Sequence, residues 1–354
     1  MLGLLPPLLS IRDITMSRLL LIFATILSFS RTASAQVVHT PEGEVEFIGL
    51  ERWTVSMIRD TMAVRAPGAP LGQRSVVLRQ VGFVSASVLS LEGADGRLRR
   101  VVTVVEPHRA AHIRQRTLSG DSLPNAPAWA DGIALFKEQN LAFQSAIQKR
   151  GTSLLQDSAA LSKLRSSLED DLDGVEAFWR FLDQHRSPAD LELALHTLAT
   201  DRNGTNAAIA AAILTNFPQE PRAWRALLDA MRDSRVHVAA TASQATRGLL
   251  GAGERVVDWQ PAASSIRALL DGTNVFVLEN VLAALTETRI SPDLAPVLLG
   301  DGGAELVLAR LGATHIGTRR VAHAFLIQIS GTDFGEDPVA WREWLRSVAH
   351  APQA

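Results

Sequence analysis

Three segments in the second half of the chain align at a constant offset of 41 residues, and they read Val236-His237-Val238-Ala239-Ala240, Val277-Leu278-Glu279-Asn280-Val281 and Thr318-Arg319-Arg320-Val321-Ala322. Each segment lies in a long apolar stretch that follows a shorter one, so every unit of about 40 residues predicts two helices. Such a unit cannot bury its apolar face alone, and a core forms only when neighbouring units stack. The repeat therefore predicts an α-solenoid over residues 175–354.

The end of the chain predicts a helix that closes the stack of units. Asp337 can cap this helix, and Pro338 suits its first position, where a missing N–H costs nothing. Trp341 and Trp344 lie three residues apart and share one helix face, where they would cover the apolar end of the stack. We expect replacement of either tryptophan by alanine to cost about 3 kcal/mol of stability. The helical pairs and this closing unit are similar to bacterial HEAT repeats.

Residues 36–107 follow a different pattern, that of a small α/β module. An extended apolar stretch precedes a helix that Thr54 can cap, and a second short helix ends at Gly82. Strand-like runs follow over residues 85–91 and 98–105, with a hairpin-type turn at residues 94–96. The predicted fold class is therefore α+β followed by all-α, in which a small βααββ module precedes the helical array.

The order of elements in this module and several short motifs resemble the POTRA domain of bacterial envelope proteins. The motifs are Ile48-Gly49-Leu50, Gly68-Ala69-Pro70-Leu71, Gly82-Phe83 and Val102-Thr103-Val104-Val105-Glu106-Pro107. The resemblance implies a domain that binds partner polypeptides in the periplasm, often by pairing an exposed strand edge with an extended segment. The partners that it implies are proteins, including envelope or outer-membrane proteins.

The second strand of this module is the expected binding edge. A three-stranded sheet of this topology leaves the outer N–H and C=O groups of residues 85–91 without a strand partner, so an extended segment can add there by main-chain hydrogen bonds. The candidate partner-binding residues on this strand are Ser85, Ser87, Leu89 and Leu91.

The first 35 residues predict a secretory signal peptide. Arg18 precedes a short apolar core, and the small-residue pattern Ala33-Ser34-Ala35 precedes Gln36. Translation can begin at Met16, because the apolar segment ahead of it does not fit the signal. An uncleaved membrane anchor is the alternative, but the apolar core is shorter than the roughly 20 residues that a spanning helix needs. We expect an exported protein, periplasmic or secreted, without a transmembrane segment in the mature chain.

Residues 108–174 predict a connector between the module and the helical array. Residues 108–127 are basic at first and then rich in Ser, Gly, Pro and Asn, as is typical of a linker. Amphipathic patterns over residues 129–147 and 153–168 predict two helices.

Composition excludes several kinds of chemistry. The chain has no cysteine, so disulfides, thiolate nucleophiles and cysteine zinc sites are excluded. A formal net charge of −2 argues against a general nucleic-acid binder, which needs a basic surface. His108 and His112 have the spacing of a helical metal pair but lack a nearby third ligand, and His237, His315 and His323 share no spacing. We therefore predict no catalytic residue, no metal site and no cofactor.

The sequence favours an exported, non-catalytic scaffold that binds partner polypeptides through the solenoid groove and the strand edge of the module. The alternative is an envelope hydrolase or metal-binding protein whose site is assembled across repeats, since a site of that kind would escape a search for linear motifs. A structural spacer without a ligand is the third hypothesis.

Overall fold

The structure is a computed structural model, and it describes residues 35–92, 97–150, 162, 166, 172–253 and 255–349. Residues 1–34 of the predicted signal peptide and the hairpin turn at residues 94–96 lie outside the described residues, as does nearly all of the helix predicted over residues 153–168. The described chain has a small four-stranded sheet followed by helices, so it is an α+β region and then an all-helical one.

The sheet contains the predicted strands and one more. Its strands are β1 (Gln36–Thr40), β2 (Gly43–Ile48), β3 (Ser85–Glu92) and β4 (Leu98–Val105). They lie in the order β1-β2-β4-β3, in which β2 and β4 are parallel and the other neighbours are antiparallel. The predicted order of strand, helix, helix, strand, strand is confirmed from β2 onward. The additional strand β1 folds back on β2 through a tight turn at Gly43, whose φ of 133° favours glycine.

Two helices connect β2 to β3, and the predicted cap of the first and the predicted end of the second are confirmed. They are α1 (Val55–Arg65) and α2 (Ser75–Val81). The Thr54 hydroxyl accepts a hydrogen bond from the N–H of Met57, so it caps α1. Gly82 follows α2 with a φ of 132°, and its N–H donates to the carbonyls of Leu78 and Arg79.

Helices form most of the remaining chain. They are α3 (Ala130–Glu138), α4 (Asn140–Gln148), α5 (Leu172–Gln184), α6 (Pro188–Thr200), α7 (Gly204–Ile213), α8 (Pro221–Ala230), α9 (Val236–Leu250), α10 (Ala263–Leu270), α11 (Leu278–Glu287), α12 (Ala295–Leu299), α13 (Glu305–Leu311), α14 (Ile316–Ser330) and α15 (Pro338–Ala349). We call α5 to α15 the helical array. Among the described residues, no helix has both the length and the apolarity that a bilayer crossing requires.

The single helix predicted over residues 129–147 is in fact two helices, α3 and α4. Gln139 leaves the helical conformation, with φ −134° and ψ 57°. After the break, Phe143 of α4 contacts Phe178 of α5, with the ring centroids 4.6 Å apart. Amphipathic spacing alone did not reveal this break, because both halves turn an apolar face to the same core.

Burial repeats along the array with an offset of 40 residues, one less than the sequence alignment predicted. Positions buried in three successive units include Val238, Leu278 and Thr318, and also Ala245, Leu285 and Phe325. The side chains at Val236, Phe276 and Ile316 are 74%, 60% and 58% exposed. An offset of 41 aligns Val236, which is exposed, with Val277, which is buried. Both residues are valine, so the sequence alone could not show which offset is correct. The helices that begin near these positions, α9, α11 and α14, pack side by side.

The sheet is covered on both faces. Helices α1 and α2 cover the first face, where Val102 and Val104 belong to the core of the module. The second face packs on the array, because Ile48 and Val101 form a buried cluster with Ala309 of α13 and Ala313, two residues after this helix. Side chains alternate along a strand, so neighbouring residues of β4 serve two different cores.

Glu46 fixes the module to the array. Its side chain is buried, and its carboxylate accepts hydrogen bonds from the N–H of His315, at 3.2 Å, and from the N–H of Thr314. These residues precede α14, and the N-terminus of a helix favours a negative charge.

Candidate functional site

β3 lies at the edge of the sheet, where the sequence predicted it. It pairs with β4, and no strand borders its other side in the part of the chain that the structure describes. Alternate residues of such a strand direct their N–H and C=O groups away from the sheet, where they can pair with another extended chain.

The four predicted binding residues share one face of β3, the face toward the array. Their positions in the ladder show this, because Ser87 pairs with Thr103 and Leu89 pairs with Val101, and directly opposed residues share a face. Ser85, Ser87 and Leu89 line openings between the sheet and the array. Leu91 instead packs against the cluster that joins the sheet to α13, so it lies apart from these openings.

A groove of about 620 Å³ runs between the start of β3 and the array, and we call it the edge groove. Its module side consists of residues 84–88 of the strand region together with α2 and the residues just before it. Its array side consists of residues 232–234, the first turns of α9 and the turn before α11, and Gln115 also lines it. The apolar side chains of Val236 and Phe276 line it from the array side.

Val236 and Phe276 occupy equivalent positions in successive units of the array. Each lies 40 residues from the next such residue, and Ile316 is the third member of the set. Apolar side chains exposed in a row mark interaction sites more often than isolated ones do. The 40-residue spacing of these three apolar residues is visible in the sequence. The alignment at 41 residues did not show it, because that alignment places Val236 opposite Val277.

The edge groove has an excess of positive charge. Arg74 and Arg79 line its module side, both are exposed, and neither has an ion-pair partner among the described residues. Asp233 lines the array side, but its carboxylate already accepts hydrogen bonds from Arg116, at 2.8 Å, and Arg235, at 2.7 Å. The two free arginines therefore set the electrostatic character of the groove.

The predicted linker is a fixed segment. Residues 113–126, the crossing segment, run across the starts of successive array helices and hydrogen-bond to them through their backbone. The N–H of Arg114 donates to Thr273 Oγ1, and the N–H of Arg116 donates to the carbonyl of Arg232. Further along, the N–H of Leu123 donates to Asp201. The array supplies the acceptors, which the linker's own composition could not predict.

The ion pairs of Asp233 with Arg116 and Arg235 make the stability of the protein depend on pH. Burial alone would raise the pKa of Asp233, but the hydrogen bond from Arg235 and the charge of Arg116 lower it from 3.8 to about 2. A lowered pKa stabilises the fold above pH 3.8, and this contribution is lost as the pH falls towards 2. We expect Asp233→Asn to cost about 3 kcal/mol at neutral pH, because it leaves the two arginines without their carboxylate.

Urea unfolding of the wild type and Asp233→Asn at several pH values measures this effect. The stability difference should shrink between pH 4 and pH 2, since other carboxylates titrate equally in both proteins and cancel. A difference that stays constant over this range would show that the Asp233 carboxylate does not provide the stabilisation.

Three of the histidines, His108, His315 and His323, make separate local contacts. His108 lies between the carboxylates of Glu51, at 2.9 Å, and Glu106, at 3.3 Å. His315 caps α14, and His323 pairs with Asp333 at 2.8 Å. Among the described residues, no three His, Asp or Glu side chains are placed to hold a metal ion.

The edge groove thus offers main-chain hydrogen-bonding groups, exposed apolar side chains and positive charge. These groups suit non-covalent binding of an extended chain. Comparison with protein-family models, curated proteins and solved structures gives no match.

Proposed function

We propose that this protein is an exported, non-catalytic scaffold that binds an extended segment of a partner polypeptide at β3, in the edge groove. The observation that carries the proposal is an edge strand that faces a groove large enough for a peptide. The partner's backbone pairs with the outer N–H and C=O groups of the strand. Its side chains reach the exposed Val236 and Phe276 on the array.

In this proposal the α/β module is POTRA-like and the array is a HEAT-like α-solenoid. The strand order β2-β4-β3 and the 40-residue repeat of buried positions support these two assignments. The partners are envelope or outer-membrane proteins, which the chain would meet in the periplasm after export. The crossing segment supports the binding mode, because the array already holds one extended chain through backbone hydrogen bonds.

Proline substitutions at Ser87 and Val88 test the role of the strand edge. Neighbouring residues of a strand direct their N–H groups to opposite sides, so one of these two prolines removes an outward donor and the other removes a ladder bond to β4. The outward variant should stay folded and bind the partner at least tenfold more weakly. The inward variant should lose stability.

The experiment uses the mature chain as bait in a periplasmic extract, followed by affinity measurements on the captured partner. Phe276→Ser should also weaken binding about tenfold, as expected when an exposed aromatic anchor is lost. Val339→Ser is the matched control, because Val339 is similarly exposed but lies on α15, outside the groove. Full binding by both proline variants and by Phe276→Ser would refute the proposal.

A further inference from the structure

Arg310 breaks the repeat of the array. The positions 40 and 80 residues before it hold Leu270 and Ala230, and all three positions are buried. Arg310 is only 4% exposed, so a charged guanidinium lies where the other units have an apolar side chain. A buried charge destabilises a fold unless it is well paired, so the presence of an arginine at this buried position needs an explanation.

The pairing of Arg310 is incomplete. Nη1 donates to Thr103 Oγ1 at 3.3 Å, and Nη2 contacts the Glu279 carboxylate at 3.4 Å. Nε is buried and has no hydrogen-bond partner among the described residues. Burial lowers the pKa of Arg310, and the Glu279 carboxylate only partly opposes this effect. The guanidinium thus retains capacity for an acceptor.

A cavity of about 80 Å³ lies beside this guanidinium, directly under the edge strand. Besides Arg310, its lining includes Ser87, Leu89, Thr103, Phe276, Glu279 and Thr318. This volume is enough for several water molecules and therefore for a small polar group. The cavity meets solvent at Leu89 and Phe276, which are both exposed.

A strand that adds to β3 would direct every second side chain toward this cavity. Side chains of adjacent strands in register lie on the same face, and Ser87 and Leu89 face the array. A basic side chain there would be repelled by Arg310, and an apolar side chain would leave the guanidinium incompletely paired. A carboxylate can pair with the guanidinium and neutralise it.

We propose that the segment bound at β3 carries an aspartate or glutamate whose carboxylate enters this cavity and pairs with Arg310. This inference rests on the proposed function, since it requires an extended segment at the strand edge. Glu279 does not block the pairing, because its side chain is 44% exposed and can move toward solvent. The exposed Arg74 and Arg79 add attraction for an acidic segment along the edge groove.

Fluorescently labelled peptides test the proposal on the mature protein. The probe is an octapeptide of alternating threonine and valine with an uncharged Gly-Asn tail, and aspartate replaces each residue in turn. A second series carries asparagine at the same positions. We expect one aspartate position to bind at least tenfold more tightly than its asparagine counterpart, measured by fluorescence anisotropy.

Arg310→Leu identifies the residue responsible. Leucine is the residue at the equivalent position 270, so this variant should fold with unchanged or higher stability. It should bind the asparagine peptides as the wild type does and lose the preference for aspartate. Rescue by Arg310→Lys should be partial at most, because lysine cannot present the planar fork.

Three results would overturn the proposal, and they differ from one another. Equal binding of both series to the wild type would reject the acidic pairing and leave strand addition supported. An aspartate preference that persists in Arg310→Leu would assign it to another group, such as Arg74 or Arg79. Absence of binding by every peptide would reject the strand-edge function itself and the acidic pairing with it.

Discussion

Trp341→Ala is expected to lower the free energy of unfolding by about 4 kcal/mol, because it removes the largest buried side chain of the closing helix. Trp341 is fully buried, and its indole N–H donates to the carbonyl of Gly335 at 2.6 Å. It also contacts the ring of Phe334, with the centroids 5.0 Å apart. Helix α15 packs on α12 and α13, so the substitution opens a cavity at the end of the array.

Trp344→Ala is the matched control for this prediction. The sequence predicted an equal cost for both tryptophans, but Trp344 is only half-buried. Its replacement should therefore cost about 1 kcal/mol. Urea unfolding followed by circular dichroism compares the two variants without relying on tryptophan fluorescence. Equal losses, or a loss below about 1 kcal/mol for Trp341→Ala, would contradict the capping role inferred from burial.

Glu106→Ala is expected to destabilise the protein by about 4 kcal/mol, because it leaves several backbone donors without their common acceptor. The side chain of Glu106 is fully buried. Its carboxylate accepts hydrogen bonds from the N–H groups of Glu51, at 2.7 Å, and of Arg52 and Trp53, both at 2.9 Å. These bonds fix the turn that leads from β2 to α1.

Glu106→Gln separates the hydrogen bonds from the packing. Glutamine keeps the volume and one acceptor oxygen, so we expect it to cost about half as much as alanine. Denaturant unfolding measures both variants, and hydrogen exchange at residues 51–53 should accelerate more in the alanine variant. Unchanged exchange at these amides would show that Glu106 does not hold the turn.

Local signals in the sequence predicted local structure well. Thr54 caps α1, Gly82 ends α2, and Asp337 accepts from the N–H of Val339 at the start of α15. In each case the chemistry involves residues within a few positions of one another, so the sequence contains all of it. The edge position of β3 followed from the order of the elements, which is also a property of the sequence.

Distant contacts could not be predicted in the same way. The crossing segment depends on acceptors such as Thr273 and Asp201, which lie far from it along the chain. The edge groove exists because the sheet packs on α13, and no pattern within the module indicates that contact. An offset of either 40 or 41 residues places a leucine opposite Arg310, but nothing in the sequence shows that the arginine at this position is buried. The proposed acidic specificity therefore became visible only once burial was known.

The crossing segment also has a mechanical consequence. Here Arg114 is bonded at Thr273 and Arg116 at Arg232, two points in neighbouring units. The two residue steps from Arg114 to Arg116 span about 7 Å when fully extended, so the two bonded points cannot move far apart. Any motion that separates Thr273 from Arg232 must break one of these bonds, so the crossing segment limits how far the two parts of the array can move apart.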